Sequence, residues 1–190
     1  MLISDDRKNI YMCLSYRPSR VKLAELRLSD VFRKLYSLLF GKPSNFSEFS
    51  DGLFASGLVY GSRAVNWIKR KGIGFVLNLT EYDLSYDGIE SAHVKMINGL
   101  GQPPELVHEA VLLLDKKLRE GKKVLVHCSA GKGRTGIVLS CYLVYKNKLN
   151  AEKALDIVRK TRKGSLSDKA QADCVFLYES WLKKNVGGND

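Results

Sequence analysis

The segment from Lys123 to Tyr145 places a short apolar strand, a glycine-rich turn and an apolar helix in direct succession. KVLVH has the continuously apolar character of a buried strand, and RTGIVLSCYLVY has the length and composition of a buried helix. Buried strands that lead directly into helices are typical of parallel sheets, which need helices on their faces. This one segment therefore predicts an α/β fold.

The rest of the chain repeats the alternation of strands and helices. The pattern predicts further strands at 53–55, 74–80 and 93–97, and further helices at 62–71, 105–119, 151–163 and 170–184. Ser62 and Asn150 are predicted to cap two of these helices. We therefore expect a mainly parallel central sheet that is flanked by helices on both faces.

The first 44 residues differ from this pattern. Residues 1–22 are polar and aperiodic, so no element is predicted there. From residue 24 to residue 40 the sequence predicts a helix with an apolar stripe made of Leu28, Val31, Phe32, Leu35 and Leu39. Such a helix either packs on its own domain or lies on an acidic membrane surface. We predict an N-terminal helical extension over 1–44, a main domain over 45–185 and a tail over 186–190.

The chain carries 31 Lys and Arg against 20 Asp and Glu, a net charge of +11. This charge is typical either of a lysine-rich soluble surface or of a protein with anionic partners, which would be phosphorylated proteins, nucleic acid or acidic lipid. The four cysteines show no CxxC spacing, and the N-terminus carries charges where a signal peptide would be apolar. We therefore expect reduced thiols and a cytoplasmic protein.

Cys128 stands where the strand at 123–127 meets the glycine-rich turn, and three interpretations compete. A nucleotide-binding loop of the form GxxxxGK[ST] would need Gly at 126 and Ser or Thr at 133, but the chain has Val126 and Gly133. A buried structural cysteine is the second interpretation. The third is a nucleophile that faces an anion, because ligands of open α/β sheets bind at the carboxyl ends of the strands.

The residue types of the turn favour the third interpretation. The amides of residues 129–134 can converge on an anion at the N-terminus of the following helix, and Gly131 and Gly133 allow the backbone to curl. The same field would favour the ionised, reactive form of Cys128. Arg134 can bind two phosphoryl oxygens at once, which a lysine could not reproduce.

The motif HCSAGKGRTG, from His127 to Gly136, resembles the HCxxGxxR[ST]G signature of the cysteine-dependent protein tyrosine phosphatases. Stretches at 45–57, 74–83 and 162–171 resemble the small dual-specificity branch and its archaeal and bacterial members. The resemblance implies a protein tyrosine phosphatase-like fold, with 45–185 as the catalytic domain. It also implies two-step hydrolysis through phosphocysteine, without a metal or other cofactor.

The resemblance assigns roles to the residues around the loop. The implied catalytic residues are Cys128, Arg134, Thr135 and His127. The implied phosphate-binding loop consists of Ser129, Ala130, Gly131, Lys132, Gly133 and Arg134. His127 would orient the loop, and Thr135 would offer its hydroxyl to the sulfur as phosphate leaves. Gln171 matches a family position that is credited with orienting the hydrolytic water.

The family's general acid is an aspartate between a strand and a proline, but the matching stretch HVKMINGLGQPP has Asn98. An amide cannot protonate the leaving group, a step that is usually worth about 10²–10⁴ in rate. Three explanations stay open: a nearby carboxylate substitutes, a phenol leaves without help, or the protein binds phosphate with little turnover. The candidate substitutes are Asp83, Asp87, Glu90, Glu105 and Asp168.

The resemblance therefore implies a protein phosphatase that acts on phosphotyrosine, with phosphoserine and phosphothreonine as further candidate substrates. The alternatives are a phosphate-binding module and a phosphoinositide phosphatase. Lys132 favours the latter, since phosphoinositide phosphatases of this superfamily carry lysines in the loop, whereas Ser129 stands where they usually carry a second one. The expected partners are phosphorylated proteins and no nucleic acid, with an acidic membrane surface as the alternative through 24–40.

Overall fold

A computed structural model of the chain describes residues 10–12 and 28–186. Its strands are β1 (Ile10–Met12), β2 (Ser47–Ser50), β3 (Leu53–Ser56), β4 (Ile73–Asn78), β5 (Glu90–Val94) and β6 (Lys123–His127). Its helices are α1 (Leu28–Phe40), α2 (Ser62–Arg70), α3 (Pro104–Arg119), α4 (Arg134–Asn147), α5 (Ala151–Thr161) and α6 (Lys169–Asn185). In this described part, no helix combines the length and apolar character that crossing a membrane requires.

Within the described residues, the strands form a six-stranded sheet in the order β1-β5-β4-β6-β3-β2. The four inner strands, β5, β4, β6 and β3, run parallel to one another. Short antiparallel strands flank them, β1 against β5 and β2 against β3. The predicted mainly parallel sheet is confirmed.

The side chains of the inner strands alternate between two hydrophobic cores. In β4, Phe75 and Leu77 lie in the core that α3, α4, α5 and α6 cover, whereas Val76 lies in a smaller core with Val65 and Ile68 of α2. The alternation follows from the two-residue period of a strand, which sends successive side chains to opposite faces. Helices therefore cover both faces of the sheet, as predicted.

β3 extends one residue beyond its predicted end, to Ser56, and two other strands differ more from their predicted bounds. β4 ends at Asn78 and not at 80, because Asn78 Oδ1 accepts hydrogen bonds from the amide and hydroxyl of Thr80, at 2.9 and 2.8 Å, and turns the chain. β5 spans Glu90–Val94 and not 93–97. The chain leaves the sheet after β5 because the Gln102 side chain binds the amide and carbonyl of Ile97, at 3.2 and 2.8 Å, and closes a loop.

The starts of two helices test the predicted caps. Asn150 caps α5, since its side chain accepts a hydrogen bond from the Lys153 amide at 3.0 Å. Ser62 is the first helical residue of α2 and not its cap, because the cap is Gly61, with φ +82° and no side chain. No pattern predicts β1 or β2, whose three and four residues are too short to show a period.

Helix α1 lies within the predicted helix at 24–40, of which residues 24–27 fall outside the described residues. Its packing reverses the expected one, since Asp30, Lys34 and Ser37 are buried. Five apolar side chains, here called the apolar face of α1, are 45–72% exposed: Phe32, Leu35, Leu38, Leu39 and Phe40. Three of these side chains, Phe32, Leu35 and Leu39, belong to the predicted apolar stripe. The expectation that the stripe packs on its own domain is wrong for these three residues.

Candidate active site

The site forms where the four parallel strands end, here called the carboxyl edge of the sheet. Cys128 directly follows β6, Gly57 directly follows β3, and Glu81 and Met96 lie shortly after β4 and β5. Because β6 lies between β3 and β4, Cys128 occupies the middle of this edge. This is the edge at which open α/β sheets bind their ligands.

The 128–134 loop turns its carbonyl groups away from its centre. The Ser129 carbonyl accepts a hydrogen bond from the Leu58 amide at 2.9 Å. The Ala130 and Gly131 carbonyls accept hydrogen bonds from Asn45 Nδ2, at 3.1 and 3.3 Å. These donors all lie outside the loop, so they fix the orientation of its peptide units.

A trans peptide unit points its N–H and its C=O in opposite directions, and the described peptide bonds are all trans. The outward carbonyls of 129–131 therefore turn the amides of 130–132 toward the centre of the loop. The Gly131 amide donates a hydrogen bond to Cys128 Sγ at 3.2 Å. Since Cys128 is 2% exposed, its sulfur lies on the floor of the loop, beneath groups suited to an anion.

Arg162 supports the loop from behind. Its Nη2 donates to the carbonyls of Gly131 and Asn45, at 2.8 and 3.0 Å, and its Nη1 donates to the carbonyl of Ala55, at 3.3 Å, and to a serine hydroxyl of β2. Burial lowers the pKa of Arg162, and the nearby charge of Cys128 acts in the opposite direction. Arg162 thus holds the loop in shape and adds a positive charge near the sulfur.

Arg134 begins α4 and is fully buried. Its Nη1 donates to the Glu81 carboxylate at 2.5 Å and to the carbonyls of Met96 and Leu79, at 2.9 and 3.2 Å. Its Nη2 reaches the Ser129 hydroxyl at 3.3 Å, and its Nε is buried without a hydrogen-bond partner among the described residues. With Nη1 anchored, the Nε and Nη2 edge is the one suited to a bidentate grip on an anion.

Glu81 links Arg134 to the loop that follows β5, because its second oxygen accepts a hydrogen bond from the Asn98 amide at 3.1 Å. Burial alone would raise the pKa of Glu81, but the Arg134 charge and the hydrogen bonds lower it below its ordinary value. The ion pair therefore stabilises the fold above the ordinary glutamate pKa and is lost as the pH falls through the lowered one. At neutral pH Glu81 is a carboxylate that positions Arg134, not a proton donor.

His127 is buried beside Cys128 and hydrogen-bonded through both ring nitrogens. Its Nδ1 lies 3.2 Å from the Cys128 carbonyl and its Nε2 bonds to the Tyr86 hydroxyl. A carbonyl can only accept, so Nδ1 carries the proton and Nε2 accepts the proton of Tyr86. Burial is the main reason that the pKa of His127 falls to about 4, so the ring is neutral at pH 7.

The other residues that the sequence assigns to the loop lie close to it. Thr135 is fully buried, and its hydroxyl has no hydrogen-bond partner among the described residues. Gln171, near the start of α6, packs on the loop so tightly that a Cβ on Gly133 would lie 2.5 Å from its amide group. Lys132 is exposed at the rim. No group of three His, Cys, Asp or Glu side chains in the described part of the chain could hold a metal ion.

The structure separates the candidate substitutes for the general acid. Glu90 is wrong, because it begins β5 at the opposite edge of the sheet and pairs with Lys117 and Lys122. Asp168 caps α6 by accepting a hydrogen bond from the Gln171 amide at 3.3 Å, which ties it to the loop through Gln171. Asp168 is itself exposed, as are the remaining candidates: Asp83, Asp87 and Glu105.

Four residues of the site receive no role in the sequence analysis: Asn45, Glu81, Tyr86 and Arg162. Glu81 and Tyr86 follow β4, so the rule that ligands bind at strand ends could have indicated them. Arg162 lies 26 positions after Gly136, the end of the signature motif, at the start of a stretch that resembles the family but assigns this residue no role. Only the fold brings it under Gly131.

The sequence matches the family described as "Dual specificity phosphatase, catalytic domain" over residues 59–180, well over half of the chain. It is 39% identical to the mouse protein tyrosine phosphatase domain-containing protein 1 over 74 residues, which are 39% of this chain and 10% of that protein. It is 35% identical to the Arabidopsis thaliana phosphatidylglycerophosphate phosphatase PTPMT1 over 74 residues, 39% of this chain and 22% of that protein. The chain thus matches only a small part of each relative's length.

A solved structure, that of Tk-PTP in the active form, is similar over most of the fold. The TM-score is 0.64 at 26% identity, and the match covers 72% of this chain and 97% of that chain.

Proposed function

Because the chain belongs to the dual specificity phosphatase family, we propose that it is a protein phosphatase that hydrolyses phosphotyrosine through a phosphocysteine intermediate. The observation that carries the proposal is the 128–134 loop. The Gly131 amide in this loop donates a hydrogen bond to the Cys128 sulfur, and Arg134 at the end of the loop has a buried Nε without a partner among the described residues. These groups match the nucleophile and the charge stabilisation that phosphoryl transfer needs.

The mechanism has two steps. In the first, the Cys128 thiolate forms a bond to phosphorus while the bond from phosphorus to the leaving oxygen breaks. The inward amides and Arg134 bind the equatorial oxygens throughout. In the second, water attacks phosphorus, the bond to sulfur breaks, and phosphate leaves. In this mechanism Gln171, which packs on the loop, orients that water, and the buried Thr135 hydroxyl donates a hydrogen bond to the departing sulfur.

Asn98 makes phosphotyrosine the favoured substrate. A phenol has a pKa of about 10, far below that of an alkyl alcohol, so it leaves more readily without protonation. We expect kcat/KM for a phosphotyrosine peptide to exceed that for the same peptide with phosphoserine by about 10²-fold or more. Steady-state release of phosphate measures both. Equal values would contradict the preference, and binding of the phosphotyrosine peptide without hydrolysis would support a phosphate-binding module instead.

Replacing Asn98 with aspartate tests the missing acid directly. The variant is expected to raise kcat on phosphoserine by at least about tenfold, because it restores a proton donor. It should change the hydrolysis of an activated aryl phosphate little, since that leaving group needs no proton. Asp168→Asn is the companion variant. A loss of phosphoserine turnover in Asp168→Asn, with no gain in Asn98→Asp, would show that Asp168 already donates the proton.

Replacing Gly131 with alanine is expected to lower kcat/KM by about 10²-fold, the effect of misplacing a reacting group by about an ångström. Gly131 has φ +72°, and a Cβ there would lie 2.4 Å from the carbonyl carbon and oxygen of Ser56. Both partners are main chain, so the loop itself must shift. Gly121→Ala is the matched control, because φ is +76° there but nothing lies within 4 Å of the added carbon. Equal losses of aryl phosphate hydrolysis in Gly131→Ala and Gly121→Ala would contradict the explanation that the loop must shift.

A phosphoinositide phosphatase is the second candidate function, and Lys132 favours it. Its side chain is exposed at the rim, where an inositol ring with further phosphates would extend beyond the loop. The similarity to the Arabidopsis phosphatidylglycerophosphate phosphatase supports a phospholipid headgroup as a substrate class. A comparison of a soluble phosphoinositide with the phosphotyrosine peptide distinguishes the two. Faster turnover of the phosphoinositide, lost in Lys132→Gln, would favour the lipid.

A further inference from the structure

Helix α1 is amphipathic but inverted, with its polar side packed against the domain. Asp30 accepts a hydrogen bond from the Tyr82 hydroxyl at 3.2 Å, and the Ser37 hydroxyl donates to the Leu58 carbonyl at 3.3 Å. Lys34 lies with its Nζ 4.0 Å from the ring centre of Tyr60. These polar contacts fix the rotation of the helix about its axis. The apolar face of α1 is therefore held outward.

Positive charge borders both ends of this apolar face. At one end Phe32 lines a cleft of about 520 Å³, together with Arg33 and Lys132. At the other end Phe40 lines a cleft of about 240 Å³, together with Arg63 and Arg70. Arg33 also pairs with Asp30 on the inner side of the helix. Among the described residues, neither cleft is lined by a carboxylate, so the surface around the apolar face favours an anionic partner.

We propose that the apolar face of α1 inserts into the surface of an anionic lipid bilayer. An interfacial helix buries its apolar side just below the headgroups, while flanking Lys and Arg side chains bind the headgroups themselves. Lys132, Arg63 and Arg70 are the cations placed to do so. Because Lys132 is part of the 128–134 loop, this orientation brings the rim of the candidate active site to the membrane surface.

The same charges disfavour a second copy of the chain as the occupant. In a two-fold dimer the same surface of both copies comes together. The cations at the two ends of α1 would then gather around one interface, and the described residues that line the two clefts include no carboxylate to neutralise them. A bilayer that contains anionic lipid neutralises these cations instead, and it accepts a convex helix without a complementary groove.

Sedimentation of the full chain with phospholipid vesicles tests the proposal. We expect binding to phosphatidylcholine vesicles that contain about a third phosphatidylserine, and binding at least about tenfold weaker without the anionic lipid. Leu39→Ser with Phe40→Ser should weaken the first binding by at least about tenfold, because two exposed apolar side chains are lost. Arg63→Gln with Arg70→Gln should weaken it as well.

The matched control is Phe176→Ser with Leu177→Ser, a pair of the same composition that is exposed on α6. This pair should leave vesicle binding unchanged. The proposal would be overturned if the chain bound neither kind of vesicle. It would also be overturned if the serine pairs at 39 and 40 and at 176 and 177 lost equal amounts of vesicle binding. Unchanged binding in the arginine variant, or a dimer that Leu39→Ser with Phe40→Ser dissociates without an effect on lipid, would overturn it as well. Hydrolysis of a soluble aryl phosphate by each variant reports phosphatase activity separately from docking.

Discussion

Cys128→Ser is expected to lower kcat for an aryl phosphate by about 10⁴-fold or more, the scale seen when a nucleophile is removed. A serine hydroxyl stays protonated at neutral pH and needs a base to become a nucleophile. The adjacent His127 cannot serve, because its Nδ1 donates to the Cys128 carbonyl and its Nε2 already accepts from Tyr86. The inward amides and Arg134 remain, so the variant should still bind inorganic phosphate.

Phosphate release and calorimetric titration with inorganic phosphate measure the two halves of this prediction. Cys174→Ser is the matched control. The Cys174 sulfur is buried but hydrogen-bonded to the amide and carbonyl of Gln102, at 3.4 and 3.3 Å, and a serine hydroxyl can take over both bonds. Turnover that survives in Cys128→Ser would exclude this residue as the nucleophile.

Arg134→Lys is expected to lower kcat/KM by about 10³-fold, because one preorganised donor to a developing charge is worth about 10²–10³ and the variant loses a bidentate pair. Three oxygens hold Nη1, which leaves the Nε and Nη2 edge to face the phosphoryl group. A lysine retains the positive charge but offers one nitrogen, and that nitrogen would stay with Glu81. The loss should therefore appear mainly in kcat.

The control for Arg134→Lys is Arg162→Lys, the same change at another buried arginine. Both terminal nitrogens of Arg162 are already bound to oxygens of the surrounding chain, so we expect a smaller loss. Thermal unfolding of both variants separates lost activity from lost stability. Comparable losses in kcat/KM at the two positions would refute a special role for the open edge of Arg134.

The sequence is most informative where structure depends on neighbours in the chain. The strand, turn and helix from Lys123 to Tyr145 follow from a local pattern, and β6 has the predicted ends. The alternation of strands with helices likewise predicts the parallel sheet, because period and length distinguish the two kinds of element. Cys128 could be proposed as the nucleophile for the same reason, since its spacing from Arg134 is a local property of the sequence.

Contacts between distant segments could not be read in this way. The partner of Arg134 is Glu81, 53 positions earlier, and the residue that holds Gly131 is Arg162, 31 positions later. The inversion of α1 has a similar cause. Helical spacing shows that the helix has an apolar side, but the contacts of Asp30 and Ser37 with other segments decide which side faces the domain.

The four contacts of Arg162 also bear on the order in which the protein matures. They join segments near residues 45, 55 and 131, all of which leave the ribosome before Arg162 does. A nascent chain that ends with α4 therefore contains Cys128, the proposed nucleophile, and the glycines of its loop, but not the arginine that ties the loop to the rest of the domain. Phosphatase activity should therefore arise late in synthesis, after α5 and Arg162 have emerged from the ribosome. Before that point the Cys128 thiol lies in a loop that Arg162 does not yet support.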